Sequence, residues 1–212
     1  MAPSLPGPLW QTRCVRATWF IQHQALWGAL FWSFVVMRAL IEFANSARQP
    51  SGEAAIPERQ AVGALWGLAL VCTFAAFPLG FRLTTLAMPG SGRAYIVAGV
   101  ALMGLGIGLR QWAVHTLGRF FTFQLTVRAD QTVVDRGPYR VLRHPSYTGM
   151  LLTALGTGIA IGNWLSLGLT FLPYTVSLVR RIGIEESMLR QGLGPAYERF
   201  SATRKRLLPG VW

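Results

Sequence analysis

Apolar residues fall in four long runs along the chain, and polar residues gather between them. Ala25 to Phe43, Ala61 to Phe81 and Ala94 to Val114 each match the roughly 20 residues that cross a bilayer as a helix. The fourth run, Tyr147 to Val179, is too long for one crossing. It is interrupted at Gly162-Asn163-Trp164, a sequence suited to a turn. The pattern predicts an all-α integral membrane protein with five transmembrane helices, the last two forming a tight hairpin. The first apolar run starts late, after a Pro-rich segment, so the expectation is a retained helix that serves as its own insertion signal.

Composition strengthens this picture. Only 13% of the 212 residues are charged, against about 25% in soluble domains. The formal charge of +12 then points to anionic lipid rather than nucleic acid as its counterpart. Basic residues also orient the spans. The 44–60 and 115–146 loops and the segment after Val179 hold 14 of them, and the opposite side holds four. The C-terminus is therefore expected in the cytoplasm and the N-terminus outside. Both long polar segments share the cytoplasmic face, where a water-soluble cofactor would bind. Cys14 and Cys72 have no metal-ligand spacing, and no metal is expected.

Some polar residues sit within or beside the runs. Arg38 has Glu42 four positions on, so an ion pair on one helix face explains it. His23 and His115 lie near interfaces and read as structural. Arg110 follows Gly104, Gly106 and Gly108 with no acid nearby in sequence. An ionisable residue at that depth is a functional candidate; the competing reading is an arginine reaching for lipid phosphate. The glycines lack bulk, so a helix or ligand can approach closely there.

The densest chemistry lies at Arg136-Gly137-Pro138-Tyr139-Arg140-Val141-Leu142-Arg143-His144-Pro145-Ser146-Tyr147-Thr148-Gly149. Pro145 is suited to open a helix and holds His144 extended. His144, Ser146 and Tyr147 are then expected around a helix N-terminus able to receive a carboxylate. After the fifth span come Arg180-Arg181-Ile182-Gly183-Ile184-Glu185-Glu186 and Gly194-Pro195-Ala196-Tyr197. The acids beside those bases read either as a solvated helix start or as part of a site.

This ordered set resembles the isoprenylcysteine carboxyl methyltransferases over about residues 110–210. The resemblance implies a single membrane domain over 1–212, with spans one and two in 1–92 and a methyltransferase core in 93–212. It also implies S-adenosylmethionine as cofactor, no metal, and a prenylated-cysteine carboxylate or similar lipophilic molecule as methyl acceptor. By position it assigns cofactor contacts to Gln124, to the strip Gln131, Thr132, Val133 and Val134, and to Tyr139. His144, Pro145, Ser146, Tyr147 and Glu185 complete that set. The strip departs from the family's His-Thr-Leu-Val at Gln131 and Val133. Arg110 and Arg181 are assigned to catalysis and to the acceptor, and they are expected to converge on its head group. A carboxylate acceptor needs a cation to hold it, and Arg offers a planar grip.

Three other readings compete. Phospholipid amines or thiols are alternative acceptors, but each needs a base or thiolate that the sequence does not offer. Membrane sterol reductases share a similar C-terminal half and bind a nicotinamide nucleotide, yet they are larger, and no Gly-rich dinucleotide fingerprint occurs here. A non-catalytic membrane protein leaves Arg110 and the acidic pair unexplained.

Overall fold

The structure is a computed structural model that describes residues 25–47, 56–122 and 130–208. Cys14, His23 and Gln124, and the side chains of Arg38 and Glu42, lie outside the described residues. The helices are α1 (Ala25–Ala47), α2 (Ile56–Arg82), α3 (Gly92–Leu117), α4 (Pro145–Ile161), α5 (Trp164–Leu193) and α6 (Pro195–Thr203). No strand occurs among the described residues.

The hairpin expected at Gly162 forms between α4 and α5. Gly162 ends α4 in the left-handed region, at φ 68° and ψ 34°, which costs glycine nothing. Asn163 then caps α5, its side-chain oxygen accepting from the Leu165 and Ser166 amides. Its Nδ2 donates to the Leu83 carbonyl at 2.9 Å, tying the hairpin tip to the end of α2. Ser166 Oγ donates to Ala76 O at 2.7 Å and Ser177 Oγ to Leu65 O at 3.1 Å. These bonds run α2 along α5.

α3 and α4 cross with their backbones in contact. A Cβ on Gly99 would stand 2.6 Å from the Gly156 carbonyl, and one on Gly106 would stand 2.5 Å from the Gly149 carbonyl. On each helix the two glycines are seven residues apart, about two turns. The antiparallel pairs therefore fall in register, and only small residues allow this approach. Of the glycines before Arg110, Gly106 lies in this seam. A Cβ on Gly104 would come within 3.4 Å of the Phe34 ring, and one on Gly108 would meet nothing. Arg110 follows Gly106 by one turn and Ser146 precedes Gly149 by nearly one, so the seam sets these two side chains opposite each other.

Two expectations need correction. Arg180 to Glu186 do not follow the fifth helix but lie inside α5, which continues to Leu193. At 30 residues α5 is roughly 45 Å long and outruns the roughly 30 Å hydrocarbon core. His144 is not extended: its φ is −126° and ψ 57°. It is pinned because its amide donates to Arg206 O at 3.1 Å while its carbonyl accepts from the Tyr147 and Thr148 amides. By length and composition, Ala64–Arg82 and Gly92–Phe120 are apolar enough to cross a membrane.

Candidate functional site

Two cavities meet near the start of α4. The first is ionic. Its wall includes Gln131, Thr132, Val133, Val134, Tyr139, Arg143, His144, Ser146, Tyr147, Arg181, Glu185 and Tyr197. Phe120, Phe121, Leu189 and Phe200 provide its apolar faces. The structure thus brings together almost the whole set expected to hold a cofactor. Pro145 is the exception: it is fully buried at the first position of α4 and shapes the turn without lining the cavity.

The chain segments reach this cavity for separate local reasons. Gly137-Pro138-Tyr139-Arg140 is a 3-10 turn that buries Tyr139. The last segment then folds back over it. Arg143 N donates to Lys205 O at 2.8 Å, Arg143 Nε donates to Arg204 O at 2.7 Å, and Thr148 Oγ1 donates to Leu207 O at 2.8 Å. Under this clasp sits Glu186, 0% exposed. It accepts from Arg143 Nη1 at 2.9 Å, Arg190 Nη2 at 3.0 Å and Arg206 Nη2 at 3.0 Å. His144 Nε2 is 3.4 Å from its Oε1.

Electrostatics follow from that enclosure. Burial alone would raise the Glu186 carboxyl, but the adjacent His144 and the hydrogen bonds from Arg206 and Arg143 override it. They hold the group well below the usual carboxylate range. The Tyr139 and Tyr197 phenols move the other way. Burial raises both, and the nearby Glu185 and, for Tyr197, Glu186 charges push in the same direction. Both stay neutral.

The second cavity is apolar, with a volume of about 420 Å³, within the range of small-molecule sites. Its deep wall holds Met103, Met150, Thr157, Tyr174 and Phe77, all buried. Its mouth lies between α1 and α2, where Leu70 and Phe74 are 52% and 68% exposed. Arg110, 5% exposed, lines its inner end and donates from Nη1 to Ser146 Oγ at 2.7 Å. Arg110 Cζ also stands 6.0 Å from the Phe121 ring centre.

The cavities share a wall of Phe121, Thr122, Tyr147 and Arg181. Within it, Arg181 Nε donates to Tyr147 Oη at 2.7 Å and Tyr147 Oη donates to Glu185 Oε2 at 2.5 Å. Arg110 and Arg181, far apart in sequence, therefore both line the apolar cavity, as their expected convergence requires. Several contributors went unforeseen. The sequence marks Glu186 only as one of an acidic pair, with no sign of its burial. Arg206, Thr122 and the α2 side chains gave no signal, because their roles arise from contacts across the fold.

Known proteins resemble this chain in sequence and in fold. A family model described as phospholipid methyltransferase matches residues 94–196. A probable protein-S-isoprenylcysteine O-methyltransferase from Oryza sativa subsp. indica is 34% identical over 115 residues, covering 53% of this chain. Its counterpart from Schizosaccharomyces pombe is 32% identical over 119 residues, covering 55%. The solved eukaryotic intramembrane Ras methyltransferase ICMT (isoprenylcysteine carboxyl methyltransferase) covers 93% of this chain and 72% of its own, with TM-score 0.59 and 23% identity. The chain is thus similar in sequence to isoprenylcysteine methyltransferases over about half its length. It spans 60% of the rice relative's length and 49% of the yeast relative's. The methyltransferase match contains Arg110, Arg181 and the ionic cavity's α4 and α5 residues, and it leaves out α1 and α2. In fold, its described residues are helical and resemble that intramembrane enzyme.

Proposed function

We propose that this protein is an S-adenosylmethionine-dependent methyltransferase that esterifies the carboxylate of an isoprenylated cysteine, or a similar lipophilic acid, at the membrane. One observation carries the reading. An ionic cavity and an apolar cavity meet at Tyr147 and Arg181, so a polar donor and a lipophilic acceptor can touch without sharing a chamber.

The ionic cavity suits S-adenosylmethionine chemically. Glu185 and His144 offer partners for an amino-acid ammonium and carboxylate. Phe120, Phe121, Val133 and Leu189 offer apolar faces for a flat base. When bound, the cofactor supplies a methyl group already activated by its sulfonium charge. The acceptor oxygen then needs alignment and exclusion of water more than a base. Arg110 and Arg181 hold the carboxylate at the inner end of the apolar cavity, and Ser146 fixes the Arg110 guanidinium. The hydrocarbon chain lies along Met150, Tyr174 and Phe77 and enters between α1 and α2. In this reading 1–212 is one membrane domain. Residues 1–92 supply the acceptor wall and 93–212 the methyl-transfer core. Five helices span, with the ionic cavity and C-terminus on the cytoplasmic side.

A phospholipid amine fits less well, because two guanidinium groups at the cavity's inner end repel a cationic head group. The test is a parallel assay on purified protein with S-adenosylmethionine and three acceptors: N-acetyl-farnesylcysteine, a phospholipid amine and a simple thiol. Methyl ester formation on the first alone is expected. Transfer to the amine or thiol, with none to the prenylcysteine, overturns the carboxylate reading.

A further inference from the structure

The shared wall contains one side chain bonded to both sides of the site. Tyr147 Oη carries a single proton, which it gives to Glu185 Oε2 at 2.5 Å. Its oxygen accepts from Arg181 Nε at 2.7 Å. Glu185 lines only the ionic cavity, whereas Tyr147 and Arg181 line both. The Tyr147 ring is held in place. It stacks on the His144 ring at 5.5 Å with an interplanar angle of 13°, and the Arg181 guanidinium stands 5.8 Å from its centre. The phenol cannot turn away from one partner without disturbing the other.

We propose that Tyr147 couples the two cavities, so that filling the donor site sets how firmly Arg181 grips the acceptor. The inference rests on the assignment of donor and acceptor to these cavities. Its physical basis is a three-member chain of part-buried hydrogen bonds, in which each bond polarises the next. Without a donor molecule, the Glu185 charge draws on Tyr147, and Tyr147 draws on Arg181. A hydrogen-bonding ligand that engages Glu185 in the ionic cavity competes for that carboxylate. The pull transmitted through Tyr147 weakens, and Arg181 becomes a better partner for an acceptor carboxylate. Donor and acceptor then raise each other's affinity by the same factor, as linkage requires. Tyr147 is a positioning residue in this scheme, acting on the acceptor through Arg181.

Binding of N-acetyl-farnesylcysteine to the full chain in detergent tests this, measured with and without saturating S-adenosylhomocysteine. That product lacks the sulfonium charge, so direct attraction between a cationic donor and an anionic acceptor does not mimic coupling. The wild type should bind the prenylcysteine about fivefold more tightly, or better, with the donor site filled. Tyr147→Phe keeps the ring and removes the bridge. It should bind each ligand alone but bring that ratio close to one. A purely structural role for Tyr147 would weaken both ligands and leave the ratio unchanged. Glu185→Gln keeps an oxygen for Tyr147 and removes the charge, and it should also lower the ratio. It carries the test if Tyr147→Phe does not fold. The coupling is overturned if the wild-type ratio is one, or if the variants retain the wild-type ratio. A wild type that binds neither ligand removes the proposed function and this inference with it. Independent binding of both removes the inference alone.

Discussion

The ionic and apolar cavities lie on either side of one tyrosine and one arginine, yet they are built in opposite ways. The ionic cavity is assembled from short segments distant in sequence. A 3-10 turn, the first turn of α4, the far half of α5 and the returning tail are fastened by charge around Glu186. The apolar cavity is a gap between helix flanks, and its shape depends on how closely backbones approach at the α3–α4 glycine seam. One is stabilised by ion pairs shielded from water, the other by packing. Substitutions, pH and ligand chemistry should therefore act on them separately.

The largest separation should come from Glu186→Ala. Removing the carboxylate leaves Arg143, Arg190 and Arg206 facing one another, a loss of about 3–5 kcal/mol for a broken buried pair. Thermal unfolding should fall accordingly, and limited proteolysis should cut the freed tail after Thr203. A tail that stays protected would break the comparison. The same group gives a pH signature. Its folded-state value lies below its ordinary 4.5, so its stabilisation is complete above that pH and drains away as pH falls toward the lowered value. Melting curves in detergent should lose stability below pH 4.5 in the wild type, and far less in Glu186→Gln.

Arg110→Ala tests the other side. Turnover should fall roughly a hundredfold, the scale for losing one charge-stabilising donor, while the donor KM stays unchanged. A shift in donor KM instead would mean that the cavities are not separable. Gly149→Ala should affect both cavities. A Cβ there meets the Gly106 carbonyl at 2.5 Å, which costs about 1–3 kcal/mol in a tight contact. Gly108→Ala, on the partner helix α3 but facing open space, should stay within about 0.5 kcal/mol. The smallest effect is expected at the mouth. Phe74→Ala should change the acceptor KM by a few-fold and leave donor binding alone, as initial rates on acceptors of differing chain length would show.

The two sides also differ in how much the sequence reveals. The resemblance to a known family, not local chemistry, is what grouped Gln131 to Val134, Tyr139 and His144 to Tyr147; the local signal was Pro145, which opens α4 as expected. Hydrophobic run length likewise disclosed the long helices and the hairpin at Gly162. Arg110 stood out because a lone charge in an apolar run needs a reason. Glu186 was legible only as one of an acidic pair, because its enclosure by Arg143, Arg190 and Arg206 depends on contacts across the fold. The lining of the apolar cavity was invisible for a related reason. Phe74 and Trp66 sit in a run where every position is apolar, so periodicity cannot say which face meets a ligand and which meets lipid. Continuation of α5 past Val179 was missed because falling hydropathy marks the end of the bilayer and not the end of the helix.

The thinness of the partition between the cavities has a consequence for inhibitor chemistry. A single compound that places a nucleoside-like group beside Glu185 and a prenyl-like tail beside Tyr174, joined by a short linker past Thr122, would bind its second half intramolecularly. Avidity of that kind can exceed either half's affinity by about 10²–10⁴ when the linker spans the gap. Soluble methyltransferases, whose acceptors are polar, offer no such greasy anchor, so the same tether that tightens binding would also confer selectivity.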